Sequence, residues 1–329
     1  MSTAPPTGRP TVVVTRRLPR PVEDQLRRDF DARLSADDHA FSATELSDAL
    51  RTADALVPTV TDRLTAQVLG VEPLKARIIA NYGVGYNNID TAVAKARGVV
   101  VTNTPDVLTD DTADDAMLLM LMVARRAGEG EREVRSRAWT GWRPTHLLGT
   151  RVSGKTLGVI GLGRIGRAVA HRARHGFGMR VIFHDPYPPP PAVVAELEAE
   201  SRSSVDDVLR EADFVSLHSP ATPDTHHLID ARRLALMKRG AFLVNNARGD
   251  IVDEVALVAA LKQGTIAGAG LDVFEREPTV SPELLTMDNV VLLPHIGSAT
   301  HESRVAMGLR ALDNLKAFFA GVPPRDRVA

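Results

Sequence analysis

At 329 residues with a formal net charge of −1, the chain exceeds one comfortable hydrophobic core and has no general attraction for nucleic acid or an anionic membrane. Six lysines and 34 arginines are spread without a basic block, and the absence of cysteine excludes disulfides, cysteine nucleophiles and thiolate metal sites. The longest wholly apolar run, residues 116–124, falls well short of the roughly 20 residues a bilayer span needs. Residues 1–10 are rich in Pro, Thr and Gly without an apolar h-region and read as a loose tail, so a soluble cytoplasmic protein is expected.

In chain order, residues 11–15 form a buried-strand run and 21–30 a helix with Val22, Leu26 and Phe30 on one face. Strand-like runs at 53–57, 77–82 and 99–102 alternate with helical stretches at 44–51 and 90–97, the rhythm of a small parallel α/β unit. Within it, Asn81-Tyr-Gly-Val-Gly-Tyr-Asn-Asn-Ile-Asp90 is a glycine turn. Its Val84 and Gly85 N–H groups form either a nest for a small anion or part of an ordinary βα turn, with Asp90 capping the next helix. Pro105 breaks the rhythm. Four aspartates among residues 109–115 then open a helix apolar on every side, followed by Arg125-Arg126. Acids at its start and arginines at its end suit the helix dipole, and with no histidine nearby no metal is expected. A helix apolar all round must be buried, at a domain crossing or a subunit interface.

The second half is organised around Lys155-Thr-Leu-Gly-Val-Ile-Gly161-Leu-Gly163-Arg-Ile-Gly166, a short strand, a glycine turn and the start of a helix carrying Ile165, Val169 and Ala173. Glycines at this spacing allow a tight turn, close approach of a pyrophosphate and packing of helix on strand. Asp185, 19 residues past Gly166 at the end of the next strand, is placed to hydrogen-bond adenosine ribose hydroxyls. Six apolar runs, 156–160, 181–185, 214–217, 242–246, 268–274 and 290–293, give a doubly wound dinucleotide-binding sheet. The proline run 186–191 excludes helix, Asp253 caps 254–262 and Gly264 closes it. A last helix, 299–321, is free to return to the first unit. The expected organisation is α/β with two doubly wound parallel-sheet domains: a discontinuous substrate domain, 1–105 with 297–329, and a Rossmann NAD-binding domain, 106–296.

In an open parallel sheet the ligand lies outside the carboxyl ends of the strands. Arg248, Glu277 and His295 follow three successive late strands and would share that edge. Reducing a ketone by hydride requires a proton donor for the developing oxygen charge, which a histidinium supplies; Glu277 would favour the charged imidazolium. The planar fork of Arg248 suits a carboxylate, so an α-keto acid would be held with its carbonyl toward His295.

With these motifs, together with Val215-Ser-Leu-His-Ser-Pro220, Thr222-Pro-Asp-Thr225, Val244-Asn-Asn-Ala-Arg-Gly249, Leu271-Asp-Val-Phe-Glu-Arg-Glu-Pro278 and Pro294-His-Ile-Gly-Ser-Ala299, the chain resembles the D-isomer-specific 2-hydroxyacid dehydrogenases from residue 11 to about 322. Asn81-Tyr and the Trp139, Trp142-Arg-Pro and Leu147-Leu-Gly149 stretch are similar to the glyoxylate/hydroxypyruvate reductase branch. The resemblance implies a flavodoxin-like substrate domain, His295 as acid/base, Glu277 as its partner, Arg248 as substrate anchor, and Val84 and Gly85 as carboxylate binders. It implies cofactor contacts from Gly161, Gly163, Arg164, Ile165, Gly166 and Asp185, and further along from Thr112, Ser219, Thr225, Asn246, Ala247, Asp272, His295 and Gly297. Asn246 stands where a smaller or hydroxyl residue is common. The branch often uses NADPH, but the Asp185 carboxylate would repel a 2′-phosphate, so NAD(H) is expected over NADP. The resemblance also implies a homodimer paired through the NAD-binding domains, and with the sequence ending at Ala329 no C-terminal regulatory domain is expected. Residues 174–178 are one longer than the pattern of the family it resembles, and a local bulge is expected there. Phosphoglycerate, formate or phosphite dehydrogenation, or an NADH-sensing corepressor-like interaction protein, are the alternatives to a reductase of small 2-keto acids.

Overall fold

The computed structural model describes residues 8–329; the first seven residues, most of the proposed tail, lie outside them. The chain forms two compact units, one running to Leu108 and resuming over Ser298–Ala329, the other comprising Thr109–Gly297. The first unit contains β1 (Thr11–Val14), α1 (Arg20–Asp29), β2 (Asp31–Arg33), α2 (Ala43–Thr52), β3 (Ala55–Val57), α3 (Ala66–Leu69), β4 (Ile78–Ala80), α4 (Thr91–Ala96) and β5 (Val100–Thr102). Its sheet is all parallel in the order β2-β1-β3-β4-β5. Every residue of β1, β3 and β4 is buried, as helices on both faces of a parallel sheet require. The edge strand β2 reads Asp-Ala-Arg, mostly exposed, and its polar sequence gave no apolar run to betray it.

The second unit contains α5 (Thr109–Ala124), α6 (Ala127–Arg135), β6 (Thr156–Ile160), α7 (Arg164–Phe177), β7 (Arg180–His184), α8 (Pro191–Glu196), β8 (Ala199–Ser201), α9 (Val205–Glu211), β9 (Phe214–Leu217), α10 (Ala231–Leu234), β10 (Phe242–Asn245), α11 (Glu254–Lys262), β11 (Gly268–Leu271) and β12 (Val290–Leu292). Its seven parallel strands run β12-β11-β10-β9-β6-β7-β8. The order reverses between β6 and β9, and the crevice beyond their carboxyl ends is the natural ligand position of such a sheet. The chain then closes with α12 (His301–Phe319), begun by a Thr300 cap and packed in the first unit, where Lys316 pairs with Asp29 of α1 at 2.6 Å.

Four expectations are corrected. Six strands become seven because β8, Ala-Glu-Ser, is another polar edge. The proline run does not exclude helix at its last member: Pro191 opens α8, where a missing N–H is not needed. Residues 174–178 hold no bulge; α7 continues to Phe177 and Gly178 ends it in the left-handed conformation at φ 59°, its N–H reaching the Arg174 carbonyl. Finally, α5 is not buried on every side. Ala113, Ala116, Leu119, Met120 and Val123 enter the core of the second unit, while Leu118 is 45% exposed and Leu121 and Met122 are partly so. Its acidic start is engaged by a neighbouring helix, with Arg172 of α7 reaching Asp110 at 3.0 Å and Asp114 at 2.6 Å.

Candidate active site

The glycine turn after β6 is built by close contacts. Gly161 sits at φ 92°, and a Cβ there would meet the His218 backbone at 2.9 Å; a Cβ on Gly166 would lie 2.2 Å from the Gly161 carbonyl oxygen. Gly163 differs: no atom lies within 4 Å of a Cβ placed on it, and no side chain caps the N-terminus of α7 that it begins. The turn therefore leaves a backbone cradle at the start of a 14-residue helix, suited to a pyrophosphate. Asp185 is locked beside it, its two oxygens accepting the Leu162 N–H at 2.7 Å and the Tyr187 N–H at 2.8 Å. Ser219 donates weakly to the Ile160 carbonyl, whereas the Thr225 hydroxyl is engaged within its own turn, at 2.7 Å from the Pro220 carbonyl oxygen.

Three further strand ends converge on one edge. After β12, His295 takes a left-handed φ of 55° and its Nδ1 lies 2.8 Å from Glu277 Oε2, while Glu277 Oε1 accepts the Phe274 N–H. Burial pushes the Glu277 carboxyl up, but the hydrogen bond and charge of His295, helped by Phe274 and Arg248, outweigh it and hold the group below its ordinary value. Arg248, after β10, is pulled down by burial, an effect opposed by Glu277 and Asp250, and its Nη1 donates to the Ala247 carbonyl at 2.6 Å. His218, near the same edge, is held neutral by burial with a pKa of about 4 and shares a 2.8 Å hydrogen bond with Ser216.

The strained His295 turn is held by Asp272 at the end of β11. Its carbonyl accepts the His295 N–H, and its carboxylate accepts the Ile296 N–H at 2.7 Å and the Gly297 N–H at 2.8 Å. Gly297 lies so close that a Cβ would stand 3.3 Å from Asp272 Oδ2, 3.4 Å from Thr112 Cγ2 and 3.5 Å from Asp115 Oδ2. Asn246 donates Nδ2 to the Thr112 carbonyl at 2.7 Å and to Asp115 Oδ2 at 3.1 Å. Its Oδ1 is buried with no donor among the described residues.

In the first unit, Asn81 Nδ2 donates to the Gly85 carbonyl at 2.9 Å and Asn103 Nδ2 to the Val84 carbonyl at 2.8 Å. With both carbonyls held, the Val84 and Gly85 N–H groups have no acceptor among the described residues, and Asp90 caps α4 through the Val93 N–H at 3.0 Å. The two readings of this turn, anion nest and capped βα turn, are thus compatible.

A sequence model of the NAD binding domain of D-isomer specific 2-hydroxyacid dehydrogenases matches residues 117–297. The chain belongs to this family. Within it the dehydrogenase falls in the glyoxylate reductase branch: it is 48% identical over 321 residues to a glyoxylate reductase of Thermococcus kodakarensis, covering 96% of this chain and 95% of that protein. A solved Thermus thermophilus protein superposes with a TM-score of 0.88 at 43% identity, covering 97% of this chain and 100% of that one. An NADPH-dependent glyoxylate/hydroxypyruvate reductase of Sinorhizobium meliloti, solved with NADP and malonate, superposes with a TM-score of 0.87 at 36% identity, covering 98% and 97%. The dehydrogenase is an oxidoreductase that takes a nicotinamide cofactor. Among the described residues no helix is long and apolar enough to cross a membrane.

Sequence reasoning overlooked Asp115 as a site neighbour and the two asparagines that fix the Val84–Gly85 carbonyls. Asp115 was hidden in a run of four aspartates. Its spacing, three residues after buried Thr112 and four before buried Leu119, puts it on the inward face of α5 and was the available signal.

Proposed function

We propose that the dehydrogenase reduces a small 2-keto acid of the glyoxylate/hydroxypyruvate type to the D-2-hydroxy acid, using NADH, with His295 as proton donor. The observation that carries the reading is the 2.8 Å His295–Glu277 pair at the carboxyl end of a dinucleotide-type sheet, with Arg248 on the adjoining strand end. Arg248 pairs with the substrate carboxylate, and the Val84 and Gly85 N–H groups, taken by themselves, suit a small anion. The nicotinamide dinucleotide, when bound, supplies the hydride that ends on the carbonyl carbon. His295 holds a proton at Nε2, its Nδ1 being engaged by Glu277, and delivers it to the carbonyl oxygen as the alcohol forms. Glu277 fixes the imidazole orientation and faces the charged ring.

The residues present fit the cofactor. The Gly163 cradle suits the pyrophosphate, the Asp185 carboxylate suits free ribose hydroxyls, and the orphan Asn246 Oδ1 and the Asp272 carboxylate offer acceptors to a carboxamide N–H. Asp185 would repel a 2′-phosphate, which supports NADH over NADPH. Homodimer pairing through the second unit is supported by the exposed Leu118 stripe on α5 and by Trp139 and Trp142, 54% and 82% exposed. A cytoplasmic location accords with the lack of cysteine. Absorbance assays across glyoxylate, hydroxypyruvate, phosphohydroxypyruvate, formate and phosphite, each with both cofactors, test the reading. No oxidation of NADH or NADPH with any 2-keto acid would overturn it.

A further inference from the structure

A buried carboxylate that the proposed reaction does not use stands directly behind its acid/base. Asp115 of α5 is 7% exposed, against 1% for Asp272, and their Oδ2 atoms converge on the same point over Gly297. One partner on Asp115 is the Asn246 amide, which also serves the Thr112 carbonyl. Resting on the proposed reductase reading, we propose that Asp115 is a positioning residue for the hydride-transfer edge: it holds the Asn246 amide and bears against the Asp272 carboxylate that clamps the His295 turn.

The two acids are unequal. Burial raises both acids, but Asp272 alone accepts two backbone N–H groups from the turn, which favour its charged form, so the larger share of a proton kept by the pair falls to Asp115. Burial and then the Asp272 charge push Asp115 up to about 6. The charged groups facing Asp115 are Asp272 after β11 and His295 after β12; the β10 turn presents the uncharged Asn246. On α7, Arg172 is engaged by Asp110 and Asp114. While Asp115 is neutral, the Asp272 carboxylate is undisturbed and the Ile296 and Gly297 N–H groups stay clamped. Once Asp115 ionises, two like charges face each other in a buried site and the clamp loosens.

Steady-state kcat for the wild type and Asp115→Asn across pH 5–8, with NADH and glyoxylate, tests this. The amide stays neutral and can still accept from Asn246 Nδ2, so the ratio of variant to wild-type kcat is expected to rise by at least about threefold with increasing pH. A ratio independent of pH would reduce Asp115 to a scaffold residue and overturn the proposal. A second readout needs neither cofactor nor turnover. In protein labelled with ¹³C at aspartate, the Asp115 carboxyl signal, identified by its loss in Asp115→Asn or in Asp115→Glu, should titrate in the mildly acidic range. In Asn246→Ala, which removes a donor to the charged form, it should titrate at higher pH. An Asp115 signal that titrates like an exposed aspartate, or is unmoved by Asn246→Ala, would overturn the proposal even if Asp115→Asn fails to fold. Absence of turnover with every 2-keto acid alongside the expected carbon titration would instead refute the reductase reading.

Discussion

Two glycines three residues apart in one turn should fail in opposite ways. Gly166→Ala places a methyl 2.2 Å from the Gly161 carbonyl oxygen and 3.2 Å from its carbon. Both are backbone atoms, so relief requires moving β6 and α7 apart. Overpacking of this kind costs roughly 1–3 kcal/mol, and at about 2–4 °C per kcal/mol the melting temperature should fall by several degrees. Gly163→Ala meets nothing within 4 Å, and its φ of −70° is one that alanine adopts readily. Its effect on stability should stay within about 0.5 kcal/mol. The new methyl, however, stands in the open space at the start of α7, where the pyrophosphate is proposed to lie. NADH affinity should therefore weaken by on the order of tenfold or more, about 1.4 kcal/mol. Thermal melts without ligand and a fluorescence titration with NADH separate the two. If Gly163→Ala binds NADH like the wild type, or melts as low as Gly166→Ala, the assignment of the cradle is wrong.

Replacing His295 by Asn should lower kcat by a factor on the order of 10²–10⁴. NADH binding measured by fluorescence should persist, and retained turnover would exclude His295 as the acid. Arg248→Ala should raise KM for the keto acid far more than KM for NADH; equal changes in steady-state kinetics would move Arg248 out of the substrate's reach. Asp185→Ser should raise the NADPH to NADH ratio of kcat/KM by on the order of tenfold, because it removes the charge facing a 2′-phosphate; an unchanged ratio would show that Asp185 does not read the ribose.

The sequence made the central elements legible because they are buried on both faces. Val12 to Val14, Leu157 to Ile160 and Phe242 to Val244 are apolar runs with no alternative reading. It concealed β2 and β8 because an edge strand is protected by being polar, and polar triplets such as Asp-Ala-Arg look like loops. Arg248, Glu277 and His295 could be picked out because a parallel sheet sends its strand ends to one edge, which turns chain position into spatial position. Asp115 escaped the same logic, arriving from a helix rather than from a strand end. The side chains of Asn81 and Asn103 escaped it too, since they act on backbone carbonyls that carry no sequence signal of their own. What was hardest to read was the support behind the chemistry.

That support leaves a thermodynamic signature of mixed sign. Glu277 titrates lower in the folded protein than its ordinary 4.5, so its contribution is present above that value and lost as pH falls through the lowered one. Asp115 runs the other way. Its folded value is raised from 3.8 to about 6, so the unfolded chain releases this proton first. Its contribution is full below about pH 4 and is lost as pH rises toward 6, up to roughly 3 kcal/mol at about 1.4 kcal/mol per unit, and less to the extent that Asp272 takes part of the proton. Asp115→Asn carries no such proton. Melting curves without cofactor should show the variant gaining several degrees on the wild type between pH 4.5 and pH 7, with the Glu277 contribution common to both. A gap between the two melting temperatures that stays constant over that interval would mean that Asp115 is already ionised in the folded protein at pH 4.5. The clamp on the His295 turn would then have to work against two standing charges, and Asp115 would be a fixed electrostatic burden behind the acid/base instead of a group that answers to pH.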